Sequence, residues 1–149
     1  MNHLDSDYFS MCSSTGDQFA GRHILADFWG VERMSDLDFI KKTIEESARK
    51  AGANILHSYY HPFGDGMGVS GVTVLSESHI SIHTWPERSF ASIDVFMCGN
   101  CDPQTTINYL EKTLKPSSID QSLNRRGVVS AVAQIYLSLI HISEPTRPG

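Results

Sequence analysis

One predicted strand of the sequence combines a carboxylate, hydroxyls and imidazoles at spacings that could support catalysis. Glu77 and Ser78 precede His79, Ser81 and His83. The last three residues occupy alternate positions, so their side chains share one face of the strand. Such a face is either a solvated polar surface or a catalytic surface, and the alternation alone leaves both interpretations open.

Two histidine pairs suggest a metal site at first sight. His57 and His61, like His79 and His83, are four residues apart, a spacing that suits two ligands of one ion on a helix. Both pairs fall in predicted strands, where a rise of about 3.3 Å per residue separates the two imidazoles by about 13 Å. We therefore predict no metal ion shared within either pair.

Cys98 and Cys101 form a C-x-x-C motif between a predicted strand and a predicted helix. A helix N-terminus lowers the pKa of a nearby thiol, so the motif is typical of thiol-redox sites. A structural zinc half-site and ordinary or singly functional thiols are the alternatives, and the lack of a second such pair in the sequence counts against the zinc half-site. Three cysteines without a framework spacing indicate a reducing compartment, so we expect a cytoplasmic protein.

Gly66, Gly68 and Gly71 satisfy the pattern G-x-G-x-x-G. In a dinucleotide site this pattern delivers the pyrophosphate to a helix N-terminus, whereas here a predicted strand follows. We therefore reject a dinucleotide site. The glycines are expected to let the backbone pass close to a ligand or to another strand.

Composition excludes several classes of function. The chain has 149 residues, of which 40% are hydrophobic, and a formal charge of -5, so one globular domain is expected and nucleic acid is not an expected partner. The longest uncharged run, 127–142, is shorter than the roughly 20 residues of a membrane helix, so no membrane contact is expected. Residues 1–10 contain two aspartates and no apolar block, which excludes a secretory signal.

Hydrophobic periodicity predicts the elements that position these residues. Two helices are expected, one capped by Ser35 or Asp36 and ended by Gly52, the other opened by Asp102 and Pro103. Each has one apolar stripe, and the predicted strands are 22–29, 53–60, 70–76, 79–85 and 90–98. The fold class is therefore α+β, a two-layer sandwich of a mainly antiparallel sheet with both helices on one face. The remaining exposed edge or face of the sheet invites dimerisation.

The chain divides into three parts by composition. Residues 1–20 are rich in Ser and Asp and are expected to form a flexible N-terminal arm, followed by one domain over 21–127. The tail 128–149 is uncertain, because 137–147 resembles the translation of a sequencing adapter. The alternative for this tail is a terminal β-strand over 128–142.

The most informative strings are Ser-Glu-Ser-His at 76–79 and Ile-His-Thr-Trp-Pro-Glu at 82–87, followed by Ile-Asp-Val-Phe-Met-Cys-Gly at 93–99. With these strings the sequence resembles the bacterial and archaeal S-adenosylmethionine decarboxylases, a family of self-cleaving pyruvoyl enzymes. The resemblance runs from Gly21 to about Gly127. It implies a proenzyme whose substrate is S-adenosylmethionine and whose product is the aminopropyl donor for spermidine.

The resemblance also implies roles for individual residues. Cleavage of the Glu77–Ser78 bond would leave a β chain that ends at Glu77 and an α chain that starts with a pyruvoyl group made from Ser78. That carbonyl forms a Schiff base with the substrate and accepts the electrons released with carbon dioxide. Ser70 would stabilise the tetrahedral intermediate of cleavage, and His83 would remove the proton for elimination. Cys98 would protonate the decarboxylated product.

The substrate residues implied by the resemblance are Phe63 for the adenine and sulfonium, Trp85 at the substrate site, and Glu87 for the ribose hydroxyls. The loop 64–68 is one residue longer than the family pattern. Relatives that act on ornithine or arginine differ at the nucleoside site, so those substrates stay open as alternatives.

The resemblance implies a homodimer of αβ protomers that pair through their sheets. It assigns no role to Cys101. From a different class of function, a thiol-redox or binding domain that uses Cys98 and Cys101 is the remaining alternative.

Overall fold

The structure is a computed structural model that describes residues 9–11, 15–131, 135–136 and 138–140. A short 3-10 turn at Pro86–Arg88 follows the sixth strand. The helices and strands, in chain order, are β1 (Ser10–Met11), β2 (Gln18–Phe19), β3 (Gly21–Trp29), α1 (Leu37–Lys50), β4 (Ile55–Pro62), β5 (Val69–Leu75), β6 (Ser78–Trp85), β7 (Phe90–Cys98), α2 (Pro103–Leu114) and β8 (Ser118–Arg126).

Six strands form one sheet in the order β4-β5-β6-β7-β3-β8, and every neighbouring pair is antiparallel. Helix α1 packs on α2 and on β4 and β5, while α2 packs on β7 and β3. Both helices therefore cover one face of the sheet, and the predicted α+β sandwich is confirmed. Among the described residues, no helix is long and apolar enough to span a membrane.

The helix ends follow from their capping residues. The Asp36 carboxylate accepts a hydrogen bond from the Phe39 N–H at 3.1 Å, which satisfies one free donor of the first turn of α1. Asp102 does the same for the Gln104 N–H at 3.0 Å, and Pro103 occupies the first turn of α2. Of the two predicted caps of α1, Asp36 is the one used.

Strand β8 was not predicted from the sequence. It pairs with β3 along its whole length and forms an edge of the sheet. Its side chains are almost all exposed, and Ile119 is the one that packs against the core. An edge strand with little buried surface shows no apolar alternation, so periodicity misses it.

The chain ends were predicted as an arm and an uncertain tail. In the described part of the arm, β1 pairs with β2, and Gln18 exchanges backbone hydrogen bonds with Val129 at 2.7 and 2.9 Å. Residues 131, 135–136 and 138–140 are helical, so the alternative of a terminal strand over 128–142 is wrong for them. Most of the adapter-like stretch 137–147 lies outside the described residues.

Strand alternation gives the sheet two different faces. The inner face lies under the helices and contributes the buried core, which includes Ile24, Phe28, Ile80 and Val95. The opposite face, called the outer face below, carries the polar row of β6 and several exposed apolar side chains. These are Leu25, Trp29, Tyr59, Val74 and Trp85, between 38% and 59% exposed.

Two glycines of the G-x-G-x-x-G pattern permit close approach between strands, as predicted. A Cβ on Gly68 would lie 2.2 Å from the Thr84 carbonyl oxygen of β6. A Cβ on Gly71 would lie 2.0 Å from the ring of Tyr60, which is buried over β5 with its hydroxyl on Thr73 at 2.8 Å. Neither position has room for a side chain, and neither glycine precedes a helix.

Replacing Gly71 by alanine should therefore destabilise the fold through overpacking, by about 1–3 kcal/mol. Urea unfolding at fixed protein concentration measures this loss. The control is Tyr60→Ala, which removes the obstructing ring, so adding Gly71→Ala to that variant should cost much less. An equal cost with and without the Tyr60 ring would show that the contact does not explain the glycine.

Candidate active site

The turn between β5 and β6 holds an unusual backbone geometry. Ser76 and Glu77 form a two-residue turn, and Ser78 follows with a φ of 129°, a value that side-chain-bearing residues rarely adopt. The Glu77 carbonyl oxygen accepts a hydrogen bond from the Cys98 N–H at 2.9 Å. A donor aimed at this oxygen would stabilise negative charge there if the Ser78 hydroxyl attacked the carbonyl carbon.

The two cysteines near this turn differ in their surroundings. Cys98, at the end of β7, is half-buried, whereas Cys101 is buried after a turn through Gly99 and Asn100. Burial raises the pKa of the Cys101 thiol, and the nearby Glu77 and Cys98 raise it further. A thiol that resists ionisation is a poor nucleophile, so Cys101 is not suited to be the attacking thiol of a redox pair.

Ser70 and His83 lie opposite each other on β5 and β6, on the outer face. The Ser70 hydroxyl is 2.8 Å from the His83 Nδ1, so the two side chains form a hydrogen-bonded pair. His83 is five residues from Ser78 along β6, a separation of about 16 Å at 3.3 Å per residue. Within one chain the structure therefore does not bring this pair to Ser78.

The Ser70–His83 pair borders a cleft of about 530 Å³ beside the loop between β4 and β5. Hydrogen bonds from the Met67 N–H to Gly64 and from the Phe63 N–H to Gly68 close this loop at 3.1 and 3.0 Å. The cleft brings together the predicted substrate residues; its lining is Phe63, Gly66, Met67, Gly68, Ser70, His83, Thr84, Trp85 and Glu87.

The predicted site residues thus form two separate groups. The first, called the cleavage cluster below, is Glu77, Ser78 and Cys98. The second, called the cleft cluster, consists of Ser70, His83, Phe63, Trp85 and Glu87. Phe63 and Trp85 are 57% and 41% exposed, and one face of the Trp85 ring is stacked on Phe90 with ring centroids 5.2 Å apart.

A third group, which was not predicted from the sequence, crosses three neighbouring strands of the outer face. The Asp94 Oδ2 accepts hydrogen bonds from the His23 Nε2 at 2.6 Å and from the His79 Nε2 at 2.8 Å. The Ser81 hydroxyl donates to the other carboxylate oxygen. The sequence alone does not show that Asp94 lies beside His79 and His23, because their proximity depends on the register of β6, β7 and β3.

His23, His79 and Asp94 have ligand atoms within 4.8 Å of one another, close enough to hold a metal ion. The Arg126 guanidinium lies 2.9 Å from the His23 Nδ1. Because arginine only donates, this Nδ1 must accept, and the proton of a neutral His23 then lies on Nε2, facing Asp94. A protonated Nε2 does not bind a metal, so the arrangement favours a hydrogen-bonded network.

Because of this network, the ionised form of Asp94 stabilises the fold more than the protonated form does. Burial raises the pKa of Asp94, but hydrogen bonds from Ser81, His23 and His79 outweigh burial and lower it overall. The free energy of folding that this shift contributes is present above the unfolded pKa of about 3.9 and is lost as the pH falls through the lower folded pKa.

Asp94→Asn should therefore reduce stability at pH 7 by at least about 1 kcal/mol, because charge-assisted hydrogen bonds are lost. The gap to wild type should shrink as the pH falls below about 4. Urea unfolding between pH 7 and pH 2.5 measures both effects. Asp65→Asn, in the exposed loop, is the control, and a gap that stays constant across this range would contradict the network.

Comparisons with known proteins cover most of the chain. The family model described as S-adenosylmethionine decarboxylase matches residues 22–127. The S-adenosylmethionine decarboxylase proenzyme of Geobacillus kaustophilus is 45% identical over 96 residues, which are 63% of this chain and 77% of that protein. That of Clostridium kluyveri is 39% identical over 123 residues, which are 80% of this chain and 97% of that protein.

A solved structure agrees with these sequence relatives. The crystal structure of the adenosylmethionine decarboxylase from Aquifex aeolicus VF5 superposes with a TM-score of 0.67 at 37% identity, covering 76% of this chain and 95% of that one. The family resemblance read from the strings around Ser78 is thereby confirmed. The chain belongs to the S-adenosylmethionine decarboxylase family.

Proposed function

We propose that this chain is a proenzyme that cleaves its own Glu77–Ser78 bond, gains a pyruvoyl group at Ser78, and decarboxylates S-adenosylmethionine to the aminopropyl donor for spermidine. The observation that supports this most directly is the geometry of the bond to be cut. Ser78 has a strained φ of 129°, and the Glu77 carbonyl oxygen already accepts a hydrogen bond from the Cys98 N–H.

Self-cleavage starts when the Ser78 Oγ attacks the Glu77 carbonyl carbon and the C–N bond breaks, which leaves an ester and a protonated amine. The Cys98 N–H stabilises the oxyanion of this step. Removal of the α-proton of residue 78 then expels Glu77 as a carboxylate and leaves a dehydroalanine. Water hydrolyses its imine tautomer with release of ammonia, so every atom is accounted for. His83 is the base for the α-proton, and Ser70, which is hydrogen-bonded to His83, helps to stabilise the tetrahedral intermediate.

In decarboxylation, the pyruvoyl group supplies the carbonyl that accepts the electron pair left by carbon dioxide. The Cys98 thiol, at the same turn, donates the proton to the substrate α-carbon. In the cleft, Phe63 and Trp85 offer aromatic faces to the adenine and the sulfonium. The Glu87 carboxylate accepts hydrogen bonds from the ribose hydroxyls.

We further infer a homodimer of αβ protomers whose outer faces oppose each other. The cleavage cluster and the cleft cluster of one chain are too far apart to act together, because Ser78 and His83 are separated by roughly 16 Å along β6. A two-fold axis places the cleavage cluster of one protomer on the cleft cluster of its partner, and the reverse, which completes two sites. The exposed apolar side chains of the outer face favour such burial.

Two alternatives are weaker. Ornithine and arginine have no ribose and no adenine, so they would leave Glu87 and Trp85 in the cleft without a ligand group. A thiol-redox function would need Cys98 as its attacking thiol, because burial raises the pKa of Cys101, and the family match over residues 22–127 favours the decarboxylase instead. Cys98 and Cys101 are free thiols, which supports our assignment of the enzyme to the cytoplasm.

Intact-mass spectrometry of the purified wild-type protein should show two fragments, residues 1–77 and 78–149. The second should be lighter by one ammonia than its sequence and should react with a hydrazine reagent, because it starts with a carbonyl. Ser78→Ala should remain one uncleaved chain that releases no carbon dioxide from S-adenosylmethionine. The control Ser118→Ala, at the start of β8, should cleave like wild type. An active Ser78→Ala protein would contradict the proposal.

Co-expression of two inactive variants tests the shared site. Ser78→Ala and His83→Ala chains with different tags should each stay uncleaved when expressed alone. In the mixed dimer, the His83→Ala chain supplies Ser78 and its partner supplies His83, so only the His83→Ala chain should cleave. Sites contained within one chain predict no cleavage in the mixture, and that result would exclude the composite arrangement.

A further inference from the structure

Asn54, which immediately precedes β4, makes a set of contacts with the turn that holds the bond to be cut. Its N–H donates to the Glu77 carboxylate oxygens at 3.0 and 3.4 Å. Its Nδ2 donates to the Ser76 hydroxyl at 3.0 Å, and its carbonyl oxygen accepts from the Ser76 N–H at 2.9 Å. Both residues of the two-residue turn are therefore bonded to Asn54.

The two sides of the scissile bond are held in different ways. On the downstream side, β6 is paired with β5 and β7 from Ser78 onward, so the sheet itself fixes the backbone. On the upstream side, Ser76 and Glu77 lie outside the strands. There the backbone is fixed by the Cys98 N–H and by the contacts with Asn54.

A strained conformation persists only where its surroundings determine it on both sides. If the turn were free, Ser78 could relax to a negative φ, and the Glu77 carbonyl would rotate away from the Cys98 N–H. The contacts with Asn54 oppose that rotation, because they fix the residue that carries the carbonyl and the one before it.

We propose that Asn54 is a positioning residue for self-cleavage: it holds Ser76 and Glu77 so that the scissile carbonyl stays on the Cys98 N–H and within reach of the Ser78 hydroxyl. This inference rests on the proposed function. Once the bond is cut, the strain at Ser78 no longer exists. Asn54 therefore affects the rate of maturation and not the turnover of the mature enzyme.

The test is a double-mutant cycle on the rate of cleavage. Freshly translated precursor is followed by intact-mass spectrometry for wild type, Asn54→Ala, Ser76→Ala and the double variant. Each single change removes the Asn54 Nδ2–Ser76 Oγ bond. Each should slow cleavage by about two- to ten-fold, the effect of one hydrogen bond on a barrier. The double variant should be no slower than the slower single variant, because the same contact is lost only once.

The control is Asn108→Ala on α2, which also removes one exposed side-chain bond, from the Gln104 amide at 2.9 Å. It should cleave at the wild-type rate. After prolonged incubation, each matured variant should release carbon dioxide at the wild-type rate per hydrazine-reactive carbonyl. This normalised rate separates a role in maturation from general damage to the fold.

The contact to the Glu77 side chain gives a second comparison that keeps Asn54 intact. Glu77→Gln keeps a carbonyl oxygen that can accept from the Asn54 N–H, and should be slowed less than Glu77→Ala. Glu77→Ala removes the acceptor and should be slowed. Equal rates for wild type, Asn54→Ala and Glu77→Ala would overturn the inference. A wild-type chain that never cleaves would instead refute the proposed function.

Discussion

The hydrogen bond from the Cys98 N–H to the Glu77 carbonyl oxygen joins the end of β7 to the turn between β5 and β6. It exists only in one register, in which Ser78 lies opposite Met97. A slip by one residue would carry the donor away and turn every side chain of β6 to the other face. The apolar inner-face side chains of β6 exclude that slip, so packing under the helices determines the geometry of the scissile bond.

The same sheet gives the physical reason for the shared site that we propose. Antiparallel pairing places Ser70 opposite His83 and Leu75 opposite Ser78, so the two groups lie at opposite ends of the β5–β6 hairpin. A rigid, fully paired strand cannot bend to bring its ends together. In the proposed dimer, a two-fold partner would remove this difficulty because its strands run in the opposite direction, and it would also cover an outer face with exposed apolar side chains.

Sequence periodicity identified both helices, five strands and the polar face of β6, because burial on one side leaves a periodic pattern. It missed β8, an exposed edge strand that is defined by its pairing with β3. It also missed the network around Asp94, because cross-strand neighbours depend on register. The distance between Ser78 and His83 could have been calculated from strand geometry. The resemblance to the family assigned both residues to one reaction and gave no information on that distance. The φ of Ser78 and its contacts with Asn54 have no sequence signal.

In the proposed mechanism self-cleavage occurs once, which would explain how the fold tolerates the strain at Ser78. A residue held in a sparsely populated backbone region costs on the order of 1–3 kcal/mol, and Ser78 contributes such a cost to the precursor. Cutting the Glu77–Ser78 bond releases it, while ammonia leaves. On this proposal strain is present only before cleavage, so the groups proposed to maintain it, the Cys98 N–H and Asn54, act on the precursor. The thiol of Cys98 is proposed to act afterwards as a proton donor, so one residue would serve both stages through different atoms.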